Sequence, residues 1–237
     1  MPSRASLRVR RELSPIVPGS KRPMGKIPHE QAGVWVEALE QTLLENGITI
    51  PTGSDFESVW LFVKHREEAR AGGTVDQMED TRADHRKAIG LIHLARLVYR
   101  AKSRGCLQPF VNHLRLLPKW RFAQNDRAFF DEGSNKVFEL LFGLVCSEAG
   151  DGVVMDDPVR SKGKNPDVLV TIDNRRWGFA CKVLSGYSGQ TVYERLQEGI
   201  DQIEKASEAE VGCVVFNLKN VMDYTKRTKG GSNGLLC

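Results

Sequence analysis

The feature that most constrains this chain is a change of hydrophobic period near Asn125. Before it, apolar residues recur at helical spacing; after it, one more helical stripe gives way to short β-branched runs. Phe138, Leu141, Phe142 and Val145 mark that helix, and Gly150-Asp151-Gly152 marks a turn. Val153-Val154-Met155, Asp167 to Asp173 and Trp177 to Val183 read as three strands, the last two joined tightly through Asn174-Arg175-Arg176. Val192, Leu196, Ile200 and Ile203 then line one side of a helix whose other side carries Glu194, Glu198, Asp201 and Glu204. Val211 to Phe216 is almost wholly apolar, the pattern of a strand covered on both faces. The order α-β-β-β-α-β over 133–217 predicts a mixed central sheet flanked by helices, an α+β or α/β core.

Between Gln31 and Asn125 the pattern is helical throughout. Trp35, Leu39, Leu43 and Leu44 form a stripe that Gly47 ends. Ser54 or Asp55 can cap a second helix with Phe56, Val59, Trp60, Phe62 and Val63 inward, ending near Ala71-Gly72-Gly73. Between Asp84 and Gly105, Ala88, Ile89, Ile92, Leu94, Ala95, Leu97 and Val98 make a wide apolar face. A short fourth helix holds Phe110, Val111, Leu114 and Leu116 before Pro118. The chain therefore divides into an arm over 1–30, a helical domain over 31–126, the α/β domain over 127–217 and a tail over 218–237.

Charge follows the same division. Residues 1–26 hold seven Lys or Arg, Arg10 and Arg11 among them, against Glu12 alone, and from Leu218 onward four face only Asp223. The whole chain is only +4, so two cationic ends flank an acidic body. With Pro2, Pro15, Pro18 and Pro23 and few large apolar residues, the arm cannot fold a core of its own. Its two readings are a collector of phosphate backbone and a solubilising tail. No apolar segment approaches the roughly 18–20 residues of a membrane span, and residues 1–30 lack the apolar region of a secretory signal, so the expected location is the cytoplasm. Five widely spaced cysteines fit reduced thiols. The Walker, HExxH and GxSxG patterns are absent.

The second and third strands carry the chemistry. Alternate side chains of a strand share a face, so Ala180 and Lys182 point one way while Phe179, Cys181 and Val183 point to the core. Asp167, after Asn165-Pro166, stands at the mouth of the neighbouring strand, where its carboxylate can meet the Lys182 ammonium. Pro166-Asp167 followed by Ala180-Cys181-Lys182, within the α-β-β-β-α-β order, resembles the PD-(D/E)xK nuclease superfamily. The resemblance covers about the last 85 residues of folded sequence. It implies a restriction-endonuclease-like fold and Mg²⁺-dependent hydrolysis of phosphodiester bonds, with Mn²⁺ as substitute, in bacterial defence or DNA processing. It implies Asp167 and Glu139 as metal ligands and Lys182 as the residue that orients or activates the attacking water. DNA is the implied partner, with RNA open beside it. The helical domain would serve a homodimer or a partner subunit.

Position 180 departs from the pattern, because the family has Glu, Asp or sometimes Gln where Ala180 stands, and a methyl group cannot ligate a metal. Three readings are open: an introduced inactivating change, favoured because the surrounding residues match; a ligand moved to Asp156 or Asp157; or a natural non-catalytic relative that binds nucleic acid or organises a complex. The residues also have plainer roles. Asp167 could cap a turn, Glu139 could sit on a solvated helix face, and Lys182 could be an edge-strand lysine that blocks aggregation. Gln197, with Tyr193 on one face of the last helix, and Lys162 and Lys164 in the loop before the motif are candidate nucleic-acid contacts or simply solvated.

Overall fold

A computed structural model describes residues 32–72, 82–119, 132–160, 165–184, 186, 188–206, 208–219 and 221. Arg10, Arg11, Lys162 and Lys164 lie outside the described residues. The elements run α1 (Ala32–Glu45), α2 (Asp55–Ala71), α3 (Arg82–Ser103), a 3₁₀ turn at Gln108–Phe110, α4 (Val111–Leu114), a second 3₁₀ turn at Leu117–Lys119, α5 (Glu132–Ala149), β1 (Asp151–Met155), β2 (Val168–Ile172), β3 (Arg175–Val183), α6 (Gly189–Glu204) and β4 (Val211–Asn217). The expected α-β-β-β-α-β order is present, behind a group of helices.

Local chemistry sets the boundaries. Gly47 and Gly105 adopt positive φ just past α1 and α3. At each, the next amide reaches back five residues, Ile48 to Leu43 and Cys106 to Ala101, so the last carbonyls are satisfied. Ser54 Oγ accepts from Glu57 N at 3.1 Å at the start of α2, and Ser188 Oγ accepts from Thr191 N at 3.1 Å at the start of α6. The β2–β3 hairpin turns on Asp173 and Asn174, both with positive φ (50° and 59°), the requirement of a type I′ turn. The turn lies one residue earlier than the sequence suggests, and β3 gains Arg175 and Arg176.

The sheet has the order β1-β2-β3-β4, antiparallel except for the parallel β3–β4 pair that α6 connects. One face packs on α5 through Val168, Val170, Phe179 and Cys181, with Phe142 edge-on to Phe179 at 5.1 Å. The other face receives α6, where Gly199 lets the helix approach Val214; a Cβ there would stand 2.8 Å from that side chain. Because β4 is an edge strand with Gly212 and Cys213 exposed, the expectation of a strand covered on both faces is corrected.

Helix α5 serves two cores. Val137, Leu140 and Leu144 join the cluster built by α1, α2, α3 and α4, whereas Phe138, Phe142 and Cys146 face the sheet. Within the helical group the buried residues shift from expectation at three points. Val36 is buried beside the half-buried Trp35, which packs on the same core, Leu44 is exposed, and α3 buries Leu91 while Ile89 stays exposed. Lys219, placed in the basic tail by sequence, is buried beyond β4. No described helix is long and apolar enough to cross a membrane.

The α5–β1 junction is sterically exacting. A Cβ on Gly150 would lie 2.3 Å from the carbonyl oxygen of Thr171. Gly150→Ala should therefore destabilise the protein by about 1–3 kcal/mol, the usual penalty for overpacking. Urea unfolding reads this directly, and an unchanged midpoint would show that the junction has slack.

Candidate functional site

Glu139 falls on the sheet-facing side of α5, three residues before Phe142 and seven before Cys146, so helical geometry carries it over the strand ends. It is only 5% exposed, which removes the reading of a solvated face. Both its oxygens accept from Lys136 Nζ, at 2.9 and 3.0 Å. Its Oε2 also lies 3.3 Å from Nε2 of the buried His113 on α4. A carboxylate only accepts, so this ring nitrogen is the protonated one, and Nδ1 has no hydrogen-bond partner among the described residues.

Asp167 is also 5% exposed. Its Oδ2 accepts from the backbone N–H of Cys181 at 2.6 Å, which sets the carboxylate against the peptide joining Ala180 to Cys181. Burial and the nearby Glu139 charge raise its pKa to about 6, while the Cys181 amide, Lys136 and Lys182 pull the other way. The opposite balance holds at Lys136. Burial disfavours its charge, but Glu139, with Asp167 and Asp156 beyond, outweighs this and keeps its pKa above the ordinary lysine value.

Strand parity puts Ala180 and Lys182 on the α6 side of β3, as expected. Ala180 is wholly buried. Since β3 lies between β2 and β4, Lys182 is not an edge-strand lysine. Its Nζ donates to Gln202 Oε1 at 2.7 Å, and Gln202, 1% exposed, donates through Nε2 to the carbonyl of Asn165. Asn165 Nδ2 donates in turn to Asp156 Oδ1 at 3.4 Å, and Asp156 N donates to the carbonyl of Asp167 at 3.0 Å. This ring ties the segment before β2 to α6 and to the end of β1. Cys181 and Cys146 lie in the core with thiol pKa values pushed up by burial, to about 12 for Cys146, so neither is a nucleophile.

Asp167, Lys182, Ala180 and Glu139 are thus brought to one end of the sheet. Gln197 is not among them; it is exposed on α6 and donates to Asp201 at 2.9 Å, and Tyr193 is 61% exposed. Gln202 is the glutamine that reaches the site. Sequence alone gives it no distinction from Gln190 and Gln197, both solvated; it lies three residues after the buried Gly199, on the packed face of α6. Lys136 and His113 were also missed, since neither belongs to a motif.

The donor set as it stands does not fit a divalent cation. Glu139 is committed to Lys136 and His113, and position 180 offers a methyl group. Asp167 Oδ1 and the buried Asp156 Oδ2 are without hydrogen-bond partners among the described residues. No three His, Cys, Asp or Glu among those residues are grouped to hold a metal ion.

The raised pKa makes Asp167 a liability to the fold. A carboxyl shifted from 3.8 to about 6 disfavours its ionised form in the folded state by roughly 3 kcal/mol. Because the folded value is the higher one, the penalty is full above it and is relieved as pH falls toward the unfolded value. In metal-free buffer, Asp167→Asn should stabilise the protein by about 1–3 kcal/mol at neutral pH, with the gap closing on acidification. Chemical denaturation across pH measures this, and a less stable Asn variant at neutral pH would contradict it. No family model, curated protein or solved structure matches the chain.

Proposed function

We propose that this chain carries a nuclease-type site, laid out for metal-dependent hydrolysis of phosphodiester bonds and left one carboxylate short at Ala180. One observation supports it above the others. The Asp167 carboxylate rests on the Cys181 amide, between Ala180 and Lys182, and the Lys182 ammonium is held by Gln202 on the same side of β3 as Ala180. This is the arrangement that the PD-(D/E)xK resemblance implies for Pro166-Asp167 and Ala180-Cys181-Lys182. In that reading Asp167 and Glu139 are the remaining acids of the centre, and Lys182 is the group that orients water. The chain as it stands engages nucleic acid, DNA being the polymer the resemblance implies, without the acid needed to hold Mg²⁺ or Mn²⁺ in hard oxygen coordination. Bacterial defence or DNA processing is the setting the same resemblance implies.

A second reading has its own support. Asp156 Oδ2 is buried without a hydrogen-bond partner among the described residues, and the Asp156 amide bonds to the Asp167 carbonyl, which supports Asp156 as the source of the second acid.

The test compares the unaltered chain with Ala180→Glu, Ala180→Asp, Ala180→Glu/Asp167→Ala and Asp156→Asn on DNA and RNA substrates in Mg²⁺ and Mn²⁺. Circular dichroism checks that each variant folds. Restoring an acid at 180 should create metal-dependent cutting on the order of 100-fold above the double variant. Cutting by the unaltered chain that Asp156→Asn abolishes would establish the second reading. No cutting by any folded variant would overturn both and leave a nucleic-acid-binding or complex-organising protein.

A further inference from the structure

We infer that the groove between the α4 segment and the loop after β1 is the track along which a nucleic-acid phosphate backbone enters the site. This rests on the nuclease reading above. The groove, of about 540 Å³, is lined by Asn112, Arg115, Leu116, Lys119, Asp157, Val159 and Arg160. Arg115, Lys119 and Arg160 are exposed, and they come from two separate parts of the chain that converge here. None of the three is in a salt bridge with a described residue; Arg115 makes one long hydrogen bond, 3.5 Å, to Asn112. The single carboxylate in the lining belongs to Asp157. It accepts from the backbone amides of Val159 and Arg160 at 2.9 and 3.0 Å, so its charge is committed to the turn and held below the usual carboxylate pKa by those amides.

The groove adjoins the site on both sides. Asn112 is followed directly by His113, the partner of Glu139, and Asp157 is preceded by Asp156, whose amide bonds to Asp167. The Asp157 carboxylate in the groove also feels the His113 ring, so the groove and the candidate centre are neighbours in space. Arg160 also feels the Asp157 charge, but spread cations on long side chains, none in a salt bridge among the described residues, suit a repeating polyanion better than one small anion, because each neutralised phosphate adds to counterion release. They fix the register of a backbone and read no sequence.

The experiment measures the affinity of the full chain for short labelled DNA and RNA duplexes by fluorescence anisotropy across a salt series, with polyglutamate as competitor. The groove variant Arg115→Glu/Lys119→Glu/Arg160→Glu is compared with Arg100→Glu/Lys102→Glu/Arg175→Glu, which changes net charge equally at exposed positions elsewhere. An alanine triple at the groove serves if the reversal fails to fold. The groove variant should lose more than about tenfold in affinity beyond the control, and its salt slope should flatten by about 2 to 3. Equal losses in groove and control variants would overturn the track while leaving the nuclease reading in place. Failure of the unaltered chain to bind either duplex would overturn both, and polyglutamate competing as well as a duplex would overturn the assignment to nucleic acid.

Discussion

Helix α5 must bury two faces at once, and the rest of the molecule is arranged around that requirement. Val137, Leu140 and Leu144 close the helical core, while Phe138, Phe142 and Cys146 lie on the sheet. A helix hydrophobic on both sides has few positions left for charge that remain wet, so the polar residues near its start, Lys136 and Glu139, are carried inward with the packing. Glu139 lies on the sheet-facing side before the sheet begins, over the strand ends where Asp167 stands. The helical group thereby supplies His113 to a site otherwise built from the α/β unit. Detaching those helices would remove a partner of Glu139 and uncover one of the two faces that α5 buries.

The charges so enclosed are balanced unevenly. Lys136 gains from its surroundings, and Lys182 has Gln202, whose other end is fixed on Asn165. Asp167 is held against its own preference, with burial and Glu139 raising its pKa and only one backbone amide bonded to it. Natural sequences rarely keep a buried acid that opposes folding when an amide of the same shape would fit, unless the acid is used. By this argument Asp167 carries more weight than Lys182, whose hydrogen bond to Gln202 gives it a structural role as well.

Much of the architecture is legible in the sequence because it depends on local chemistry. Gly47 and Gly105 end helices by the positive φ that glycine tolerates, and the change of hydrophobic period near Asn125 marks where strands replace helices. Strand parity alone places Ala180 and Lys182 on one face and Cys181 in the core. What the sequence hides depends on tertiary packing. Apolar Val211 to Phe216 has the composition of a covered strand, yet β4 lies at the sheet edge because topology, not hydrophobicity, decides which strand is last. On α6 the apolar residues predict one inward face, but Gly199 brings the helix so close to Val214 that the next inward position, Gln202, is buried despite its polarity. Gln197, one turn away, has the same chemistry and remains in solvent. No periodicity rule separates the two glutamines; the depth of the glycine contact does.

Position 180 obeys the same electrostatics. A side chain at 180 is wholly buried, beside a lysine that already has a hydrogen-bond partner and an aspartate that already has a raised pKa. A second carboxylate placed there without a cation would add like charge to Asp167 and raise the penalty further, since two buried acids at close range cannot both ionise cheaply. Alanine at 180 is therefore the residue that suits a centre without a divalent cation, and an acid at 180 suits one that holds it. The retained Asp167 belongs to the second condition and the alanine to the first, so the site combines elements of two electrostatic solutions. Asp156 offers a way to reconcile them. Its Oδ2, buried and without a hydrogen-bond partner among the described residues, lies on the segment bonded to Asp167 and brings negative charge from outside β3 while leaving position 180 small.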